Sequence, residues 1–203
     1  NAITGFFELM AFADSDEERR EYYEIIKTNN LLLMQLINDI LDLSKIEADA
    51  IRISYEPVDI NGLMDTIFAS IKLGMPEGVQ LFLEKGSCTC CFGADSIRLL
   101  QLINNLANNA IKNTKQGSIT LGYTCLPDKC LEFYVKYTGT GIAKDKLESL
   151  FTRFVKVNDY VEGIGLGLAI CQGLVTKMGG SMHVESELGV GSTFSFVLPS
   201  HEE

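Results

Sequence analysis

The spacing of the apolar residues changes part-way along this chain, and that change constrains the fold more than any other feature. Apolar residues recur at helical spacing over residues 1 to about 13, and again over residues 15 to about 48. After Gly78 they alternate with polar residues, which is typical of half-buried strands. The sequence therefore predicts an α+β chain in which a helical hairpin precedes a sheet.

The second helix of the hairpin has a defined start, because Ser15 and Glu18 have the spacing of a capping box. Its apolar face is too wide for one short partner helix to cover. We therefore predict a homodimer in which two hairpins form a four-helix bundle. The alternative is that the hairpin packs on the rest of its own chain.

Helices and strands then alternate, which predicts a two-layer α/β sandwich over residues 51–203, after a hairpin domain over residues 1–50. A linker containing Pro57 joins the two. The patterns place helices at 60–71, 96–113, 144–150 and about 166–178, and strands at 79–83, 119–123, 131–137, 182–185 and 193–198.

Composition excludes some partners. The formal charge of −10 repels nucleic acid, and no apolar run is long enough to span a membrane, so this fragment is expected to make no membrane contact. The six cysteines are irregularly spaced, which suits a reducing compartment, and the chain is expected in the cytoplasm. A metal site at Cys88, Cys90 and Cys91 is a weaker interpretation than ordinary thiols.

The helix over residues 96–113 has an unusual polar face. Asn105 and Asn109 stand one turn apart, and Lys112 follows on the same side. Asparagine disfavours the middle of a helix, so something other than helix stability favours this pair. Amide oxygens are suitable ligands for Mg²⁺, and a lysine at this position suits a phosphate.

Two glycine clusters follow the amide pair, and glycine lets a backbone approach phosphates closely. One cluster follows a predicted strand and the other opens a predicted helix. Together with the amide pair they predict a magnesium-nucleotide site. The clusters are Gly139 with Gly141, and Gly163 with Gly165 and Gly167.

These segments resemble the motifs of bacterial sensor histidine kinases, in family order. Residues 95–114 (DSIRLLQLINNLANNAIKNT) resemble the N box, 138–142 (TGTGI) the G1 box, 150–154 (LFTRF) the F box and 163–170 (GIGLGLAI) the G2 box. Residues 39–47 (DILDLSKIE) resemble the end of the phosphotransfer hairpin, and 191–199 (GSTFSFVLP) the last strand. The chain looks most like the kinase core of a hybrid two-component system.

The resemblance implies an ATP-binding fold shared with type II topoisomerases, heat-shock chaperone 90 and mismatch-repair ATPases. It implies that Asn105 and Asn109 face Mg²⁺ and the phosphates of ATP, with Lys112 on a phosphate. It also implies a nucleotide site formed by the boxes, with a lid between Phe151 and Gly163. The implied nucleotide contacts are Tyr137, Gly139, Gly141, Ile142, Phe151, Phe154, Gly163, Gly165, Leu166, Gly167, Leu168 and Thr193.

The resemblance also implies the reaction, which is autophosphorylation of a histidine followed by transfer to a response-regulator receiver domain. ATPases of the wider superfamily have a water-activating glutamate where Asn105 stands, so transfer is favoured over hydrolysis. The implied acceptor histidine precedes Asn1, and His183 and His201 are poor substitutes for it.

One position departs from the family pattern. Tyr137 stands where the family has the aspartate that binds adenine. Its strand parity points the ring to the buried face. Three functions therefore stay open at this point: a histidine autokinase core, a degenerate kinase that serves as a dimeric signalling scaffold, and an ATPase of the related fold, which Asn105 disfavours.

Overall fold

The computed structural model describes residues 2–87, 92–155 and 165–201. Two compact units are present, Asn1–Ser44 and Lys45–Glu203. The sequence predicts a domain boundary somewhat later, after residue 50. Helices and a mixed sheet are both present, which confirms the predicted α+β class. Within the described residues, no helix combines the length and the apolar composition that crossing a membrane requires.

Two helices form the hairpin, α1 (Ala2–Ala11) and α2 (Asp16–Glu47). The Ser15 half of the predicted capping box is confirmed, since the Ser15 hydroxyl accepts a hydrogen bond from the Glu18 amide at 3.1 Å. The Glu18 carboxylate accepts in return from the amide of Asp14. No residue of α2 is buried, although the whole helix is described, and its exposed large apolar residues include Leu31, Leu32, Leu33, Met34, Ile37, Ile40 and Leu41.

The second unit contains two sheets and a layer of helices. Its elements are β1 (Glu56–Val58), α3 (Ile60–Leu73), β2 (Val79–Glu84), β3 (Phe92–Ala94), α4 (Ser96–Asn113), β4 (Gly117–Leu126), β5 (Cys130–Thr138), α5 (Lys144–Leu147), α6 (Gly167–Lys177), β6 (Ser181–Glu187) and β7 (Gly191–Pro199). The larger sheet has the order β2-β4-β5-β7-β6, and only β2 and β4 run parallel.

The core lies between one face of the large sheet and the helices. Leu121, Val135 and Phe194 are neighbours across three strands, and all three are buried. Phe133 stacks on Phe196 with ring centroids 5.1 Å apart. Helix α4 packs against β5 and also contacts α3 and α6, which gives the two layers that the sequence predicts.

Two short strands were not predicted. The linker around Pro57 forms β1, which pairs with β3 and places Pro57 opposite Gly93. Proline has no amide hydrogen, but a two-stranded sheet tolerates it because each strand has a free edge. Helix α5 also ends at Leu147, earlier than the predicted residue 150, because the chain continues in turns.

The cysteines only partly match the expectation of thiols. Cys130 and Cys171 are thiols, whereas Cys125 is disulfide-bonded. The cluster at residues 88–91 lies outside the described residues. Among the residues that are described, no group of three or more histidine, cysteine or acidic side chains could hold a metal ion.

Candidate functional site

Helix α4 is fixed at its start and along one face. The Asp95 carboxylate caps it by accepting from the Arg98 amide at 3.0 Å, and also accepts from the Ser54 amide at 3.1 Å. The apolar face of α4 is buried, apart from Ile111, which is half-buried. The buried residues are Leu99, Leu102, Ile103, Leu106, Ala107 and Ala110.

This packing leaves the predicted polar face of α4 accessible. Asn105 and Asn109 are half-buried, and Lys112 is exposed. Side chains four residues apart lie on the same side of a helix, so the two amides are neighbours. Two neutral oxygen ligands and a cation are therefore available on one face, an arrangement suited to a metal-bound phosphate group.

Asn113 ends α4 and contacts Asn109, one member of the amide pair. Its Nδ2 donates to the Asn109 carbonyl at 2.8 Å and to the Asn109 side-chain Oδ1 at 3.1 Å. The next residue, Thr114, donates from its hydroxyl to the Ala110 carbonyl at 2.8 Å. Both side chains therefore satisfy carbonyls at the helix end, but only Asn113 also reaches a side chain.

The first glycine loop lies against the end of α4. A Cβ on Gly139 would overlap the Asn113 carbonyl oxygen, so only glycine fits there. Gly141 has a φ of 60°, and a Cβ there would overlap the backbone of Glu187. Glycine adopts this left-handed conformation without steric cost. Both glycines are therefore required by close contacts within the protein, and the role of the loop at a nucleotide stays a prediction.

Hydrogen bonds hold the same loop to the turn between β6 and β7. The Gly139 amide donates to the Val190 carbonyl at 3.3 Å, and the Gly189 amide donates to the Thr140 carbonyl at 2.8 Å. The Ile142 amide donates to the Ser186 hydroxyl at 2.8 Å. The loop is therefore connected to α4 on one side and to the β6–β7 turn on the other.

The second glycine cluster opens α6. Gly165 has a φ of 78°, and its carbonyl accepts from the Phe154 amide at 3.0 Å. Gly167 begins the helix, and among the described residues a Cβ added to it would meet nothing within 4 Å. Leu166 precedes it and provides no side-chain cap, so the first-turn amides can donate to an anion.

The remaining predicted residues of this region differ in exposure. Leu166 is buried, Leu168 and Phe151 are half-buried, and Phe154 is exposed with a φ of 61°. Gly163 lies outside the described residues.

Tyr137 lies at the end of β5, and its ring points to the buried face as its strand parity predicts. The residue is only 4% exposed, and its ring is parallel to that of Phe194 with centroids 6.4 Å apart. Burial raises the pKa of Tyr137, and a hydrogen bond with Ser192 offsets part of that rise. The phenol is therefore neutral near pH 7, where an aspartate would be charged.

The Tyr137 hydroxyl lies in a group with two serine hydroxyls that the sequence did not predict. Ser192 is 4% exposed, and its hydroxyl is 2.7 Å from that of Ser186. Ser186 in turn accepts from Ile142 and lies within hydrogen-bonding distance of the Gly191 carbonyl. We call Tyr137, Ser192 and Ser186 the hydroxyl cluster.

The structure does not bring Thr193, a predicted nucleotide contact, to this cluster. It pairs across the sheet with Lys136 and Glu185, on the face opposite to Tyr137 and Ser192. Strand parity could have placed Ser192 on the buried face. Ser192 lies two residues from the core residue Phe194, just as Tyr137 lies two residues from Val135, and residues two apart in a strand share a face.

Two sequence families match the chain. Residues 1–49 match the His Kinase A (phospho-acceptor) domain. Residues 94–202, more than half of the chain, match the histidine kinase-, DNA gyrase B- and HSP90-like ATPase family. The chain belongs to the sensor histidine kinases.

Individual relatives agree with the family. Hybrid signal transduction histidine kinase L of Dictyostelium discoideum is 34% identical over 97% of this chain and 12% of its own length. Circadian input-output histidine kinase CikA of Synechococcus elongatus is 35% identical over 93% of the chain and 26% of its own length. The chain therefore spans about a quarter or less of these relatives.

A solved structure has the same fold over the whole chain. Full-length ShkA in complex with AMPPNP superposes with a TM-score of 0.83, at 31% identity, over 100% of this chain and 43% of that chain. The predicted helical hairpin followed by a histidine-kinase ATP-binding fold is confirmed.

Neither histidine of this kinase core is an obvious phosphate acceptor. His183 lies in β6, and its ring is 3.0 Å from the Ser181 hydroxyl. The His201 ring lies against Tyr55 with centroids 4.0 Å apart, and its Nε2 is 3.3 Å from the Met178 carbonyl. Both rings have structural contacts.

Proposed function

We propose that this chain is the catalytic core of a histidine autokinase in two-component signalling, with Mg·ATP bound between α4, the Gly139–Ile142 loop and the start of α6. The main support is the contact between α4 and the loop, where Gly139 lies against the carbonyl of Asn113. Helix α4 also contacts α6. We infer that the amide face of α4 and the first-turn amides of α6 act on one ligand.

Each part of this region has a separate task. Asn105 and Asn109 provide oxygen ligands, and Lys112 provides a cation for a phosphate. The amides that follow Leu166 donate to phosphate oxygens, an interaction that the helix dipole favours. Together these residues hold and orient a triphosphate.

The donor set fits Mg²⁺ better than a metal that needs an all-protein cage. Mg²⁺ commonly keeps several waters and phosphate oxygens and takes few protein ligands. Asn105 and Asn109 would hold it, and when bound it would neutralise charge on the phosphates. Within the described residues, the absence of a cluster of acidic, histidine or cysteine ligands agrees with such a site.

Asn105 favours phosphate transfer over hydrolysis. A neutral carboxamide does not accept a proton from water near pH 7, whereas a carboxylate does. The half-buried Asn105 can therefore provide an oxygen ligand without activating water. The phosphate would pass to an acceptor histidine other than His183 and His201, and from there to a receiver domain.

We also propose that the hairpin forms a homodimer. Helix α2 has no buried residue within its fully described length, and many of its large apolar side chains are exposed. A large exposed apolar surface of this kind is typical of an interface. Light scattering at tens of micromolar should show a dimer, and Ile37→Asp together with Leu41→Asp should give monomers. A wild-type monomer with an ordered hairpin would contradict the proposal.

A second candidate function is a dimeric signalling scaffold without catalysis, and Tyr137 favours it. The resemblance places the adenine-binding carboxylate at this position, but the chain has a neutral, buried phenol bonded to Ser192. We therefore propose that ATP is held mainly through its phosphates and binds weakly.

Calorimetric titration of the chain with Mg·ATP separates the two candidates. Saturable binding that Asn109→Ala removes supports the kinase. An absence of binding by both the wild type and Tyr137→Asp, with the fold intact by circular dichroism, favours the scaffold.

A further inference from the structure

Asn113 combines two contacts at the junction of the proposed phosphate site. Its Nδ2 donates one hydrogen bond to the Asn109 backbone and a second to the Asn109 side-chain oxygen. Its own carbonyl oxygen is the atom against which Gly139 packs. The residue is half-buried, so solvent competes only partly for its side chain.

The bond to the Asn109 side chain fixes which end of that carboxamide is the acceptor. A carboxamide has an oxygen that accepts and an amino group that donates, and a half-turn exchanges their positions. The amino group would present hydrogens to a cation and would repel it. Because the Asn113 Nδ2 can donate only to an oxygen, it disfavours the exchanged orientation.

The same bond leaves the Asn109 oxygen able to bind a metal. An amide oxygen has two lone pairs, and the 3.1 Å contact with Asn113 occupies one of them. Side chains that hydrogen-bond to metal ligands orient them, and their loss typically weakens metal affinity about ten- to a hundred-fold.

We infer that Asn113 is a positioning residue, which holds the Asn109 carboxamide with its oxygen available to the metal of a bound Mg-nucleotide. This inference rests on the proposed function, since it assigns Asn109 the role of a metal ligand. It assigns Asn113 a role that acts through Asn109.

The test compares Asn113→Leu with a matched control. Leucine has a similar size and no donor. Asn29 in α2 also donates from Nδ2 to the carbonyl four residues earlier, at 2.8 Å, so Asn29→Leu removes the same kind of helix bond far along the chain from Asn109. Both variants are examined by circular dichroism to establish that the fold is intact.

Nucleotide affinity is measured by calorimetry with Mg²⁺ and again in EDTA, in the wild type and in the Tyr137→Asp background. Asn113→Leu should weaken binding roughly ten-fold with Mg²⁺ and leave it unchanged in EDTA. Asn29→Leu should change neither value. Without nucleotide, Asn113→Leu should also shift the side-chain amide NMR signals of Asn109, assigned by their loss in Asn109→Ala.

The outcomes separate this inference from the proposed function. Equal affinity loss with and without Mg²⁺, or no loss, would overturn the positioning role while leaving the nucleotide site in place. Unchanged Asn109 amide signals would also overturn it. If neither background binds nucleotide under any condition, both the proposed function and the inference are wrong.

Discussion

The two sides of the candidate site use their polar groups in opposite ways. On α4, Asn105 and Asn109 are half-buried and Lys112 is exposed, so they can meet a ligand. At the strand ends, Tyr137 and Ser192 are buried and share a hydrogen bond. The proposed site therefore offers phosphate ligands on α4 and, at the end of β5, a neutral phenol in place of a charged acceptor.

The largest expected effect comes from removing a ligand on the α4 side. Asn109→Ala should weaken Mg·ATP binding by about 3 kcal/mol, or roughly a hundred-fold, because it deletes an interaction with a charged group. Asn108→Ala is the matched control, since Asn108 is the neighbouring residue of the same type and is exposed. Calorimetry on both variants tests the prediction, and equal losses would show that α4 contributes only through its stability.

The reverse effect is expected on the strand side. Tyr137→Asp should strengthen Mg·ATP binding by about 1.5 to 3 kcal/mol, or roughly ten- to a hundred-fold, because a charged acceptor replaces a neutral ring. The alternative is that the Tyr137 ring swings aside and stacks on the base, so that the site binds with altered affinity. Equal and tight binding by both proteins in calorimetry would contradict the prediction.

The sequence predicted the α4 side more completely than the strand side, for a physical reason. In an amphipathic helix of this length, the spacing of the apolar residues determines which side is buried and which is accessible. Asn105, Asn109 and Lys112 could therefore be placed on one side from the sequence. The inward direction of Tyr137 likewise follows from strand parity. The sites themselves, including the roles assigned to these residues, stay predictions.

Features that depend on contacts distant in sequence could not be predicted. The strands β1 and β3 have three residues each, too few for a periodic signal, and they form only because the chain returns to pair Pro57 with Gly93. The hydroxyl cluster joins Ser186 and Ser192 across a turn, and nothing local in the sequence marks the contact of Ser192 with Tyr137.

A smaller effect should follow from opening the hydroxyl cluster. Ser192→Ala leaves the Tyr137 hydroxyl buried with one partner fewer, which should lower the free energy of unfolding by about 1 to 2 kcal/mol. Thr193→Val, the adjacent residue on the opposite face, should change it by less than about 0.5 kcal/mol. Urea denaturation without nucleotide measures both, and a larger loss for Thr193→Val would show that the cluster is not a stabilising feature.

The smallest effect distinguishes two tyrosines of β5 that lie on opposite faces. Burial is the largest cause of the raised pKa of each. Tyr134 also donates to the Glu84 carboxylate at 2.6 Å, and burial, this bond and the charges of Glu84 and Glu132 raise its pKa to about 12. In Tyr137 the bond with Ser192 acts the other way and lowers the pKa.

Removing the partner should therefore move the two pKa values in opposite directions. Glu84→Gln should lower the pKa of Tyr134 from about 12, and Ser192→Ala should raise that of Tyr137. Ultraviolet titration at alkaline pH measures both, with Tyr134→Phe and Tyr137→Phe identifying each transition.

The raised pKa of Tyr134 also affects stability. A group whose pKa is raised in the folded state adds stability below its unfolded pKa, here 10, and this stability is lost as pH rises towards the folded pKa. The wild type should therefore lose stability between pH 10 and 12, and Tyr134→Phe should lose less. If both pKa values shift downwards, the Ser192 bond does not stabilise the ionised phenol, and the contrast between the charged and neutral partners is wrong.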